Sequence, residues 1–94
     1  MSERRPYRVE VAPAAQRELR RLTPADAARL RGPILALGLE PRPSAATRLV
    51  GSELWRLRVG DLRVVYAVRD PESLVVILRV AARGAQPYRR LRGR

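Results

Sequence analysis

Apolar residues recur along this chain with two different spacings, and the change of spacing divides it into segments. Tyr7, Val9 and Val11 alternate with Arg8 and Glu10, the period of a half-buried strand. From Pro13 the period lengthens. Ala14, Ala15, Leu19 and Leu22 fall on one stripe of a helix, with Arg17, Glu18, Arg20 and Arg21 around it. Proline suits a first helical turn because the N–H it lacks has no intrahelical partner there. Thr23-Pro24 reads as the cap and first residue of a second helix, and Asp26 suits the positive end of its dipole. Ala27, Leu30, Ile34 and Leu37 form the expected buried stripe of that helix. Gly32-Pro33 falls inside it and is expected to kink or split it. Gly38 is the expected stop, and "EPRPSA" a loop.

Alternation then returns. "TRLV" reads as a short strand, "ELWRLRV" as a clear one, and "LRVVYAVR" follows after two residues. "DPES" is a turn. "LVVILRV" is a continuous apolar run, as expected of a strand at a central sheet position. "AARGAQPYRRLRGR" reads as loop and basic tail. The predicted order is β-α-α-β-β-β-β, a single domain over residues 1–94. The expected class is α+β, an antiparallel sheet packed on one face by two N-terminal helices.

The stretch "WRLRVGDLRVVY" carries the most information about chemistry. Gly60-Asp61 fits a two-residue hairpin turn with glycine first, as in type II′. That turn sets Val59 opposite Leu62, Arg58 opposite Arg63, Leu57 opposite Val64 and Arg56 opposite Val65. Side chains alternate between the two faces of a strand, so Arg56, Arg58 and Arg63 share one face. Like charges directly opposite one another are destabilising. A solvated sheet face is the ordinary reading of such charges. Against it, the Arg63 side continues as Val65 and Ala67, which are apolar. A face that is apolar at one end and triply cationic at the other reads as a half-covered sheet with a basic pocket at its rim. Guanidinium forks suit phosphate oxygens. Arg83 follows the last strand and Tyr88 lies in the next loop. Taken alone, Tyr88 reads first as a packing residue. Beside an arginine cluster it completes the two elements of single-stranded RNA recognition, phosphate binding and base stacking.

Composition narrows the chemistry. The 94 residues include no histidine and no cysteine, and the nine acidic residues are scattered. Thiolate and imidazole chemistry are therefore excluded, and neither a cofactor nor a metal is expected. No apolar run approaches the roughly 20 residues of a membrane span. The N-terminus enters a strand pattern at once, so a cytoplasmic location is expected and no membrane association. The net charge of +11 points to a polyanionic partner. All 20 basic residues are arginine, a bias typical of a GC-rich genome, so each choice of arginine over lysine carries little weight.

From "YRVEVAPAAQRELRRL" to "PYRR" the chain resembles the RelE/ParE superfamily of bacterial toxin–antitoxin toxins. The most specific parts are "RLVGSELWRLRVGDLRVVYAV" and "VVILRVAARGAQPYRR". The resemblance implies a RelE-like β-α-α-β(3–4) fold and, in the RelE branch, a ribosome-dependent mRNA endonuclease. In that chemistry the substrate 2′-hydroxyl attacks the adjacent phosphorus, leaving a 2′,3′-cyclic phosphate and a 5′-hydroxyl. The residues that match the branch's active positions are Arg56 and Arg58 on one strand, Arg63 opening the next, Arg83 after the last strand, and Tyr88. The family often has lysine at the two strand positions, and many members have histidine where this chain has Ala82. Arginine is a poor general base, so at those positions either the pair acts electrostatically or the activity is weak.

The implied partners are a cognate acidic antitoxin, in a toxin–antitoxin hetero-oligomer, together with the ribosome and mRNA. Two alternatives share the fold. One is a ParE-like inhibitor of DNA gyrase. The other is a non-catalytic member that binds only its antitoxin, or RNA. Fold alone does not separate them.

Overall fold

A computed structural model describes residues 6–82 of the chain. The elements are β1 (Arg8–Val11), α1 (Pro13–Arg21), α2 (Pro24–Ala36), β2 (Ala46–Arg48), β3 (Leu54–Val59), β4 (Leu62–Arg69), a 3₁₀ turn at Asp70–Glu72, and β5 (Leu74–Ala82). The strands form a five-stranded sheet in the order β1-β5-β4-β3-β2. The α+β class and the central position of the apolar strand β5 follow the expectation. The sheet, however, is mixed. β1 pairs parallel with β5, Val9 beside Val75 and Val11 beside Ile77, while the other pairings are antiparallel. An antiparallel neighbour needs only a tight turn, but β1 leads into helices and reaches β5 through the whole chain between them, which permits a parallel pair.

The helices form because their caps and stripes agree. Thr23 Oγ1 accepts the Asp26 N–H at 3.1 Å, closing the start of α2 as its sequence predicts. α1 starts on Pro13 without a side-chain cap. The Ala12 N–H instead donates to Ile77 O at 2.8 Å, carrying the β1–β5 pairing one residue further. Gly32-Pro33 does not split α2, which runs unbroken from Pro24 to Ala36. A proline inside a helix costs about 3 kcal/mol. Leu30, Ile34 and Leu37 straddle the pair and are all buried. Each contributes roughly 1.5–3 kcal/mol on burial, so packing outweighs the break.

Gly38 ends the segment for a reason of space. Its carbonyl accepts the Tyr7 N–H at 2.7 Å, and a Cβ there would lie 2.8 Å from Tyr7 O. The core between helices and sheet gathers Leu30 and Leu37 with Leu62, Val64, Tyr66 and Ile77. Tyr66 crosses it completely, its ring inaccessible and its hydroxyl donating to Pro41 O at 2.7 Å. Burial pushes the Tyr66 pKa up to about 12, which keeps it a neutral donor.

Candidate nucleic-acid site on the open sheet face

One side of the sheet carries the core and the helices. The other side carries the arginines. Gly60 adopts φ +61° and Asp61 keeps a negative φ, the pattern of a type II′ turn. The register is the one the turn predicts: Arg58 faces Arg63, Arg56 faces Val65, Leu57 faces Val64 and Val59 faces Leu62. Leu57, Leu62 and Val64 are buried, so Arg56, Arg58 and Arg63 stand on the opposite, open face. Arg56 and Arg63 line one concavity of about 220 Å³ with Leu49, Val65, Arg79 and Ala81. Arg58 lies next to it on the hairpin, exposed.

None of these three arginines has a carboxylate within salt-bridge reach among the described residues. Asp61 turns away from them, its carboxylate 3.7 Å from Arg29 of α2. Arg56 Nε is buried and has no hydrogen-bond partner among the described residues. A buried unpaired donor is unfavourable by about 1–3 kcal/mol. Such a donor in a cationic concavity is satisfied by an anion with acceptor oxygens, and phosphate supplies them. Arg83 and Tyr88, the other two expected members, lie outside the described residues.

Sequence reading missed Arg79. Strict alternation along β5 would put residue 79 on the core side with Val75 and Ile77. The pairing instead skips a residue: Tyr66 faces Ile77 and Val65 faces Arg79, leaving Leu78 as the extra residue of a bulge. Beyond the bulge Val80 points to the core and is buried, and Arg79 moves to the open face. The run "LVVIL" is apolar throughout, so its sequence contains no signal for the shift.

α1 meets this strand where β1 has ended. Glu18 Oε1 accepts the Val80 N–H at 2.6 Å, and its Oε2 accepts from Arg79 Nε at 2.9 Å and Nη2 at 2.7 Å. Burial opposes the charge on Glu18, but the Arg79 and Val80 donors prevail and hold its carboxyl below the usual range.

A small sheet that is helix-covered on one face and cationic on the other matches a known class of protein. The chain matches the family model "ParE toxin of type II toxin-antitoxin system, parDE" over residues 9–87, and it belongs to that family. Three solved structures carry the same fold. The RelBE2 toxin–antitoxin complex of Mycobacterium tuberculosis is 29% identical, over 88% of this chain and 98% of that one, with a TM-score of 0.79. The RelE–RelB complex of Pyrococcus horikoshii is 30% identical, over 85% and 98%, with a TM-score of 0.73. The Escherichia coli RelBE complex is 25% identical, over 81% and 95%, with a TM-score of 0.70. No curated protein matches significantly. The protein is therefore a toxin of a RelBE/ParE-type toxin–antitoxin system.

Proposed function

We propose that this toxin is a ribosome-dependent mRNA endonuclease whose site is Arg56, Arg58 and Arg63 with Arg83 and Tyr88. The observation that carries the reading is the buried Arg56 Nε, unpartnered among the described residues, in the concavity that Arg63 also lines. Attack by the 2′-hydroxyl builds negative charge on a five-coordinate phosphorus. Preorganised cations stabilise that charge, typically by about 2.7–4 kcal/mol per donor. In-line alignment of the attacking oxygen adds a further gain, which a ribosome holding the mRNA would supply. Arg83 and Tyr88 enter on the family resemblance, Arg83 as a further phosphate cation and Tyr88 as a stacking platform. The chain works in the cytoplasm, where its substrate is.

The partner is an acidic antitoxin that neutralises the +11 charge. The similar chains from Mycobacterium tuberculosis, Pyrococcus horikoshii and Escherichia coli are each described in a toxin–antitoxin or RelE–RelB complex, which supports this reading. The family model bears the ParE name, and that favours gyrase inhibition as the second reading. The test pairs two assays on the purified chain. Cleavage of a defined mRNA on programmed ribosomes, with a 2′,3′-cyclic phosphate end and no effect on gyrase supercoiling, is the expected result. Inhibition of gyrase with intact mRNA would transfer the assignment to the second reading.

A further inference from the structure

Among the described residues, Arg79 is the one cation of the concavity that is held by a carboxylate. Its side chain remains 65% exposed, while the Glu18 side chain that holds it is only 22% exposed. A guanidinium carries five N–H donors. Glu18 takes two of them, at Nε and Nη2, so three remain unused by this pair. The carboxylate is also fixed from the other side. Its second oxygen holds the Val80 N–H, the backbone donor left without a strand partner after β1 ends. Glu18 therefore seats a rigid fork at the rim of the concavity instead of consuming it. The bulge at Leu78 serves the same end, since without it Arg79 would point to the core.

We propose that Arg79 is a further phosphate-contacting cation of the site, and that Glu18 is the residue that positions it. The inference rests on the RNA-cleavage reading and adds the group that holds a backbone phosphate of single-stranded RNA beside Arg56 and Arg63. A guanidinium already fixed along its Nε–Nη2 edge loses little rotamer freedom when its remaining N–H groups meet phosphate oxygens. Glu18 acts through Arg79 and does not itself face the substrate.

The test uses the full chain and a fluorescein-labelled single-stranded RNA, with binding followed across a salt series. Single-turnover cleavage on programmed ribosomes runs alongside. Each phosphate contact to a single strand contributes about 0.7 to the slope of log K against log salt. Arg79→Ala is expected to lower the slope by about that amount and to weaken binding roughly tenfold at low salt. Arg69→Ala removes the same charge from the far end of the same face and is expected to leave the slope at its wild-type value.

Glu18→Gln keeps an oxygen for the Val80 N–H but gives up the charge that orients Arg79. It is expected to weaken binding about threefold with the slope retained. In an Arg79→Ala background it is expected to do nothing further. Should Glu18→Gln melt at the assay temperature, Glu18→Asp is read in its place, with the same dependence on Arg79.

If wild type binds and cleaves while Arg79→Ala keeps the wild-type slope and affinity, the inference falls and the cleavage reading stands. If the Glu18 variant weakens binding equally without Arg79, it acts through the strand and the positioning role is overturned. If wild type neither binds nor cleaves RNA, both readings fall together.

Discussion

The two ends of the open sheet face use the same residue type in opposite ways. Toward the β4–β5 turn, Arg69 lies 3.4 Å from Glu72, and Arg8 of the adjoining β1 lies 3.1 Å from Glu10. Just beyond the strands, Arg42 meets Asp70 at 2.8 Å and stacks over Trp55 at 5.9 Å. Asp70 also accepts the Tyr7 hydroxyl, so this cluster ties the start of β1 to the α2–β2 loop and the β4–β5 turn. At the hairpin end, Arg56, Arg58 and Arg63 have no such neighbour among the described residues, and two of them face each other across the strands. Among the described residues, the carboxylates that meet Arg8, Arg42 and Arg69 have no counterpart at Arg56, Arg58 and Arg63, and near those three only Arg79 is paired, with Glu18. The pairs at Arg42 and Arg69 fasten loops. The unpaired ones make a site that an anion completes.

The largest effect that tests this contrast is on the reaction itself. Arg63→Ala and Arg56→Ala are each expected to lower single-turnover cleavage of ribosome-bound mRNA by about 10²–10³, the usual loss for one preorganised charge donor. Neither should lower the melting temperature, because among the described residues neither side chain has a carboxylate partner to strand and Arg56 Nε has no hydrogen bond to lose. Arg42→Ala is the counterpart at the paired end. It is expected to lower the melting temperature and leave cleavage within about threefold of wild type, as for a surface residue away from the reaction. Cleavage lost in Arg42→Ala and kept in Arg63→Ala would invert the assignment of the two ends.

A smaller effect has the opposite sign on stability and function. Arg58 and Arg63 are direct cross-strand neighbours, an arrangement that costs about 0.2–1 kcal/mol relative to a neutral pair. Arg58→Glu is therefore expected to raise the melting temperature while weakening RNA binding. Differential scanning calorimetry and the salt-series titration read the two quantities on one sample. A variant that is less stable and binds as wild type would mean that the like-charge pair is neither strained nor functional.

How much of this was readable in advance follows from where the sequence carried a period. The hairpin register was legible because a two-residue Gly60-Asp61 turn leaves the flanking strands a single pairing, and a period of two then sorts every side chain by face. The N-cap at Thr23 was legible because an hydroxyl before a proline has few other uses. The bulge at Leu78 was not, since an apolar run has no alternation to break, and Arg79 was missed with it. The parallel β1–β5 pair depends on contacts between residues more than 60 positions apart, which no local pattern encodes. The breaker Gly32-Pro33 was over-weighted because its effect is local, whereas the burial of Leu30, Ile34 and Leu37 that overrides it is tertiary.

The smallest expected effect separates the paired arginines from the unpaired ones by acid. Hydrogen bonds from Arg42 and from Tyr7 hold the Asp70 carboxyl below its ordinary value of 3.8. Glu18 is likewise held below 4.5, its Arg79 and Val80 donors outweighing burial. A carboxyl whose pKa is depressed by folding contributes stability above its unfolded pKa, and that contribution disappears as pH falls through the folded value. The melting temperature should therefore change little from pH 7 to about 5 and decline below it, where these two groups begin to take up protons. Asp70→Asn should flatten the part of the decline below its ordinary pKa, and Glu18→Gln the part that begins slightly higher. Arg56 and Arg63 have no carboxylate partner among the described residues, so Arg56→Ala and Arg63→Ala should leave the shape of this acid limb unchanged. Thermal melts by circular dichroism at half-unit steps from pH 7 to 2.5 resolve the three shapes. An acid limb that flattens in Arg63→Ala would reveal a carboxylate bound to that arginine, and the contrast between a fastened end and an open one would be lost.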